Sequence, residues 1–319
     1  MKTCASFTSR FFVVATLLAG AAGVLFAQVD VHSGRIELIQ GKPVVTALVN
    51  GKGPFRFLVD TGTGGQGIVT SELAEELALP VVGKVRLSDP SGQGVQRAPL
   101  VILQSLFVEG VEFNGVKAVV HELSNEDSSC QGLLGFALFR DYLLTLDFPN
   151  RELRLAVGSL VPDGERSVLP FRTVAGLPIV TLHAGGLQID AHIDSGGMGL
   201  SLPEELAARL KFASDPQEFG YCSSLSTRFR FEAAKLGLDV QLGEYTFKQP
   251  FVEVNRAFPL ANFGASAMQT FAVTFDQTNQ LVRFAGRRKM IHLSATPMRT
   301  GLLNVQPQQP PARALVPVD

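Results

Sequence analysis

Apolar and polar residues alternate strictly from Leu187 to Asp194. Leu187, Ile189, Ala191 and Ile193 fall on one face, and Gln188, Asp190, His192 and Asp194 on the other. That period of two predicts a half-buried strand. A similar run, Phe55, Phe57 and Val59 around Arg56, Leu58 and Asp60, predicts another. Each follows an apolar run (Pro43–Leu48; Pro178–His183) and a turn with glycine, Gly51-Lys52-Gly53 or Gly185-Gly186, so each pair predicts a hairpin. Beyond the strands the period changes. Leu73, Ala74 and Leu77, and Leu206, Ala207 and Leu210, are spaced as one stripe of a short helix. Ser201 and Glu204 have capping-box spacing with Pro203 between, which predicts Ser201 as a helix cap.

The order of these elements recurs. Asp60-Thr61-Gly62 ends one predicted strand and Asp194-Ser195-Gly196 the other. A Gly-rich loop and an apolar triplet follow, Ile68-Val69-Thr70 or Leu200-Ser201-Leu202, which makes the first loop two residues longer. Further on, Leu133-Leu134-Gly135 precedes Leu144–Phe148, and Asn262-Phe263-Gly264 precedes Ala272–Asp276. Ordered matches of this kind indicate an internal duplication. The expected fold is all-β, two pseudo-twofold-related lobes of barrel-like sheet with short helices, over residues 28–160 and 161–286. Ser88–Gly94 and Cys222–Thr227 are expected to tip hairpins. Asp147 and Asp276 precede turn residues and are expected to cap them. Residues 287–319, with Gln306-Pro307-Gln308-Gln309-Pro310-Pro311, read as a flexible tail.

The first 27 residues have another purpose. Lys2 and Arg10 precede an apolar run from Phe11 to Phe26 that ends in Ala27, the pattern of a secretory signal peptide. The run is shorter than the ~20 residues of a spanning helix, which favours cleavage over a retained anchor. An exported protein, periplasmic or secreted, with no stable membrane insertion follows. Cys130 and Cys222 then remain, and spacing leaves open whether they pair or stay as buried thiols.

Composition narrows the function. Charged residues make up 18% and hydrophobic residues 46%, which excludes a disordered chain. A net charge of -1 excludes the basic footprint of a nucleic-acid binder. The five histidines show no metal-ligand spacing, so neither metal nor cofactor is expected. Gly62-Thr63-Gly64-Gly65-Gln66-Gly67 spells a dinucleotide fingerprint, but Val81–Val120 lacks the βαβ alternation that such a site needs. Gly199-Leu200-Ser201-Leu202-Pro203 lacks the last glycine of a nucleophile elbow. His192 shares a strand face with Asp194 and reads most simply as a partly exposed strand residue.

Two Asp-Thr/Ser-Gly turns at equivalent places of a repeat carry the chemistry. Brought together, two carboxylates share one proton: the ionised one takes a proton from water, and the protonated one donates to a carbonyl oxygen. Phe57-Leu58-Val59-Asp60-Thr61-Gly62-Thr63, Ala191-His192-Ile193-Asp194-Ser195-Gly196 and Leu133-Leu134-Gly135 resemble the aspartic proteases, specifically exported bacterial members of the retropepsin-like and pepsin-like group. The resemblance implies Asp60 and Asp194 as the catalytic pair. It implies Thr61, Gly62, Thr63, Ser195 and Gly196 as loop support, and Gly135 and Gly264 as the glycines beneath the loops. It also implies an extended peptide or unfolded protein as substrate, held under a hairpin. A monomer suffices, since both aspartates lie on one chain. Two positions depart from the pattern: Gly197 lacks the hydroxyl that Thr63 supplies, and Asn262 replaces an apolar residue. The competing reading is an exported, peptide-binding relative that no longer cleaves.

Overall fold

A computed structural model describes residues 30–88, 91, 95–123, 129–223 and 228–293, without the side chains of 222 and 223. The expected signal peptide, the residues at both hairpin tips (89–90 with 92–94, and 224–227) and the tail from 294 lie outside the described residues. So does the side chain of Cys222, and with it the question of a Cys130–Cys222 pair. The fold is all-β and acid-protease-like, and its helices are a single turn or little more: Ser71–Glu76, Glu204–Ala207 and Ala265–Met268.

Two large sheets carry the paired sequence elements. In the first, of eight strands, Lys42–Val49 and Lys52–Asp60 form a hairpin, and Lys42–Val49 also pairs with Gln96–Val108, curling the sheet toward a barrel. The hairpin turn is Asn50-Gly51, with φ of 52° and 72°. Positive φ at both central residues gives the twist that a two-residue hairpin needs. In the second sheet, of eleven strands, Leu177–Ala184 and Leu187–Asp194 form the matching hairpin through Gly185-Gly186, with φ of 56° and 79°.

A parallel strand then runs under the end of each hairpin. Gly132–Gly135 pairs with Lys52–Asp60 and sets Gly135 beside Asp60. Ala261–Gly264 pairs with Leu187–Asp194 and sets Gly264 beside Asp194. Alternation decides what each face holds. Val59, Leu134, Ile193 and Phe263 point into the main core with 2% exposure or less, so the aspartates and their i−2 neighbours point the other way.

A third, six-stranded sheet takes strands from both ends of the chain. Its central pair is Leu143–Asp147 antiparallel to Phe271–Asp276, with Thr145 opposite Thr274. The pairing is symmetric about these two residues, whose buried hydroxyls lie 2.9 Å apart. Asp147 and Asp276 cap the turns that follow: each carboxylate accepts the backbone and side-chain N–H of an asparagine three residues on, Asn150 or Asn279.

Four expectations need correction. Ser201 is not a helix cap: it lies inside strand Leu200–Pro203, with neighbours on both sides, and the helix starts from Pro203. The loops after the two aspartates differ by one residue, not two, because Ile68 pairs with Leu133 where Ser201 pairs with Asn262. The tail does not begin at residue 287, since Met290–Ile291 adds a strand beside Tyr245–Phe247 and Lys289 pairs with Glu244. His192 is buried, not partly exposed.

The threonine pair yields a test. Thr145→Val leaves the Thr274 hydroxyl buried without its partner and should cost about 1–3 kcal/mol in urea unfolding. The double replacement Thr145→Val/Thr274→Val removes both polar groups and should recover most of that loss.

Candidate active site

The two Asp-containing loops meet through four hydrogen bonds, all buried. The Thr61 backbone N–H donates to Ser195 Oγ at 3.0 Å, and the Ser195 N–H donates to Thr61 Oγ1 at 2.9 Å. Each hydroxyl then donates to a carbonyl of the opposite strand: Thr61 Oγ1 to Ile193 O and Ser195 Oγ to Val59 O, both at 2.7 Å. A hydroxyl has one proton and two lone pairs, so each accepts from one backbone group and donates to another. Both residues have 0% exposure. Buried N–H and C=O groups at the loops' point of contact are thus satisfied reciprocally.

That lock sets each aspartate against the opposite loop. A Cβ added at Gly62 would stand 2.4 Å from Asp194 Oδ1, and one at Gly196 would stand 2.5 Å from Asp60 Oδ1. Both positions require glycine because the partner carboxyl occupies the space of a side chain. Each carboxylate is held by its own loop as well: Gly62 N–H donates to Asp60 Oδ1 at 2.8 Å, and Gly196 and Gly197 N–H donate to Asp194 Oδ1 at 2.9 and 2.7 Å. Beneath the loops, a Cβ at Gly135 would stand 2.2 Å from Gly65 O, and one at Gly264 would stand 2.6 Å from Gly199 O. The backbone N–H of Gly135 and of Gly264 supports its loop through Gln66 O and Gly199 O, each at 3.0 Å.

The outer carboxylate oxygens are held differently. Thr63 Oγ1 donates to Asp60 Oδ2 at 2.8 Å. Gly197 has no hydroxyl, and the Asn262 amide donates to Asp194 Oδ2 at 3.0 Å instead. A Cβ at Gly197 would stand 2.3 Å from that amide nitrogen. The two departures in the second half are therefore one compensated change: the asparagine fills the space and supplies the donor that residue 197 lacks. Sequence reasoning read Asn262 only as a poor match to an apolar position. The signal was the coincidence of a missing hydroxyl at 197 with a new polar group at 262.

Electrostatics distinguish Asp60 from an ordinary carboxylate. Burial, and next the charge of Asp194, push Asp60 up to about 7, against hydrogen bonds from Thr63 and Gly62 that favour the ionised form. Burial lowers the pKa of His192, opposed by the Asp194 charge. A carboxyl raised to about 7 beside a second carboxyl, each with a side-chain donor on one oxygen, is equipped to hold a proton and pass it on.

Residues 45–138 match the family model of the aspartyl proteases. This span includes the Asp60 loop and Gly135 and ends before Asp194. No curated protein matches the sequence. The match supports a protease-like function.

Two outcomes test this geometry. Ser195→Ala leaves the Thr61 N–H without its acceptor and the Val59 carbonyl without its donor, and should lower stability by about 2–4 kcal/mol in urea unfolding. Asn262→Leu removes a donor that favours an ionised carboxylate. Any rate of peptide hydrolysis should fall ~10-fold or more, in kcat and not in KM, whereas purely structural damage would show as lowered stability in urea unfolding.

Proposed function

We propose that the protein is an aspartic endopeptidase that hydrolyses peptide bonds with a water activated between Asp60 and Asp194. The observation that carries this reading is the reciprocal Thr61–Ser195 lock, which sets each carboxyl over the other loop's glycine. With one proton shared, the ionised carboxylate takes a proton from water as it attacks the carbonyl carbon. The protonated carboxyl donates to the carbonyl oxygen. The resulting tetrahedral intermediate collapses when the leaving nitrogen receives a proton. Thr63 and Asn262 hold the outer oxygens, so the inner ones face the water. Gly135 and Gly264 keep the loops at their height.

The wider proposal has the same support. Residues 28–160 and a second lobe that runs from 161 through the strand Met290–Ile291 arose by duplication, which the matching registers at Asp60–Gly135 and Asp194–Gly264 favour. The chain works as a monomer on an extended peptide or unfolded protein. It is exported to the periplasm or beyond, as the Lys2–Ala27 pattern suggests. No cofactor enters this chemistry. The competing reading, a peptide-binding relative that does not cleave, would fit unsupported carboxylates, whereas here Asn262 replaces the donor that Gly197 lacks.

Purified protein incubated with a denatured protein mixture should generate new peptide termini. Asp60→Asn and Asp194→Asn should each reduce the rate by at least ~10²-fold while the fold is retained. Cleavage that persists in both variants sinks the assignment. The rate should also fall as pH rises through about 7, where Asp60 loses its proton. Stability should follow the same sign. A folded-state pKa above the ordinary 3.8 contributes stability at low pH that is lost as pH rises to about 7. Relative to the parent, Asp60→Asn should therefore gain up to about 4 kcal/mol between pH 4 and pH 8 in urea unfolding.

A further inference from the structure

The sheet face that carries each aspartate continues sideways as a wall of four neighbouring strands, and the two walls differ in chemistry. In the first sheet the register runs from Leu58 to Leu133, Ile68 and Val119. Leu58, Ile68 and Leu133 are buried with Val44 and Cys130 in a small apolar core of their own, and Ile39, Val119 and Leu123 pack against it. In the second sheet the same register positions hold His192, Asn262, Ser201 and Glu253. At about 4.8 Å between strands, this polar row extends roughly 14 Å from the Asp194 strand.

Two acceptors in the row lack a donor among the described residues. Among the described residues Glu253 has no hydrogen-bond or ion-pair partner, and burial pushes its carboxyl up to about 7. Its oxygen lies against Gly199, where an added Cβ would stand 2.6 Å away, so the glycine makes room for it. The Asn262 amide nitrogen is committed to Asp194, and its buried Oδ1 has no donor among the described residues. Neighbouring cations are committed or distant. Arg230 donates to Tyr221 and pairs with Glu218, and alternation places Arg228 and Arg230 on the face of their strand away from Glu253. Lys235 shares the Glu253 face but pairs with Phe251, two residues along the strand, and is exposed. Leaving a buried acceptor such as Asn262 Oδ1 unpaired is costly, and an unpaired, half-buried carboxyl in the same wall marks a place that a ligand completes.

Lysine and arginine side chains carry donors and no acceptor, which is what this wall lacks. We propose that His192, Asn262, Ser201 and Glu253 form a subsite for a lysine or arginine side chain of an extended peptide. Built on the endopeptidase reading, the inference adds a substrate class: peptides with a basic residue within two residues of the scissile bond. Glu253 is the specificity-determining residue.

Binding can be read apart from cleavage. Fluorescent ten-residue peptides with Phe-Lys, Lys-Phe, Phe-Leu or Leu-Phe at the centre are titrated into the Asp60→Asn chain and followed by anisotropy. One lysine order should bind at least ten-fold more tightly than its leucine counterpart. Glu253→Leu in the same background should reverse that preference. Glu253→Gln, which keeps the shape and removes the charge, should reduce it to about three-fold or less and decides the matter if the leucine variant does not fold. Equal binding of lysine and leucine peptides, no binding of any, or a preference unchanged by the Glu253 replacements overturns the subsite. The parent chain separates the two readings. Selective binding without cleavage ends the endopeptidase reading and leaves the subsite standing, whereas equal cleavage of lysine and leucine peptides does the reverse.

Discussion

Everything at the centre of this molecule depends on two hydroxyl groups that cross-link two loops. Thr61 and Ser195 lie 134 residues apart, yet each satisfies the other's backbone N–H and a carbonyl of the other's strand. Without that exchange, four buried backbone groups would need other partners. The exchange also fixes a distance. It brings Gly62 under Asp194 and Gly196 under Asp60 closely enough that neither position admits a methyl group. The elevated Asp60 pKa follows first from burial and then from that proximity. The same bonds that hold the loops together thus contribute to the proton affinity at the proposed site.

Much of this was legible from residue types alone. Asp-Thr/Ser-Gly and the later Gly135 and Gly264 stand at repeated places, and each requirement is local: a turn, a hydroxyl, a glycine under a loop. What escaped depends on register between distant strands. Asn262 supports Asp194 from 68 residues away, and only the parallel pairing of Ala261–Gly264 with Leu187–Asp194 brings it there. Matching the loops through their apolar triplets misplaced one residue, because Ile68-Val69 and Leu200-Ser201-Leu202 look alike until their partners on the next strand are known. Ser201 met the spacing of a helix cap, but pairing with Asn262 and Glu253 on either side held it in a strand. For His192, alternation established which side of the sheet it occupies and could not show that this side is buried.

The two halves resemble each other on one kind of face and differ on the other. The core faces stay apolar in both sheets: Val59 and Leu134 on one side, Ile193 and Phe263 on the other. The carboxylate faces diverge, leucine and isoleucine against histidine, asparagine and serine. Substitution on the first kind of face would open a cavity or strand a polar group inside the main core. The second kind borders the proposed site, where polar groups can await a ligand.

The threonine pair in the six-stranded sheet sets a different limit. Thr145 and Thr274 stand on the line about which the pairing is symmetric, so each faces its own counterpart. A residue in that situation must be complementary to itself. Two lysines would repel, two carboxylates would compete for protons, and two large rings would collide. A hydroxyl is donor and acceptor at once, so identical partners can bond without either changing. Sites away from that line face unlike neighbours and escape the condition. An enzyme assembled from two identical chains carries the condition into every pair of equivalent pockets. Joining the halves in one polypeptide confines it to the axis, and the two sides become free to receive different side chains.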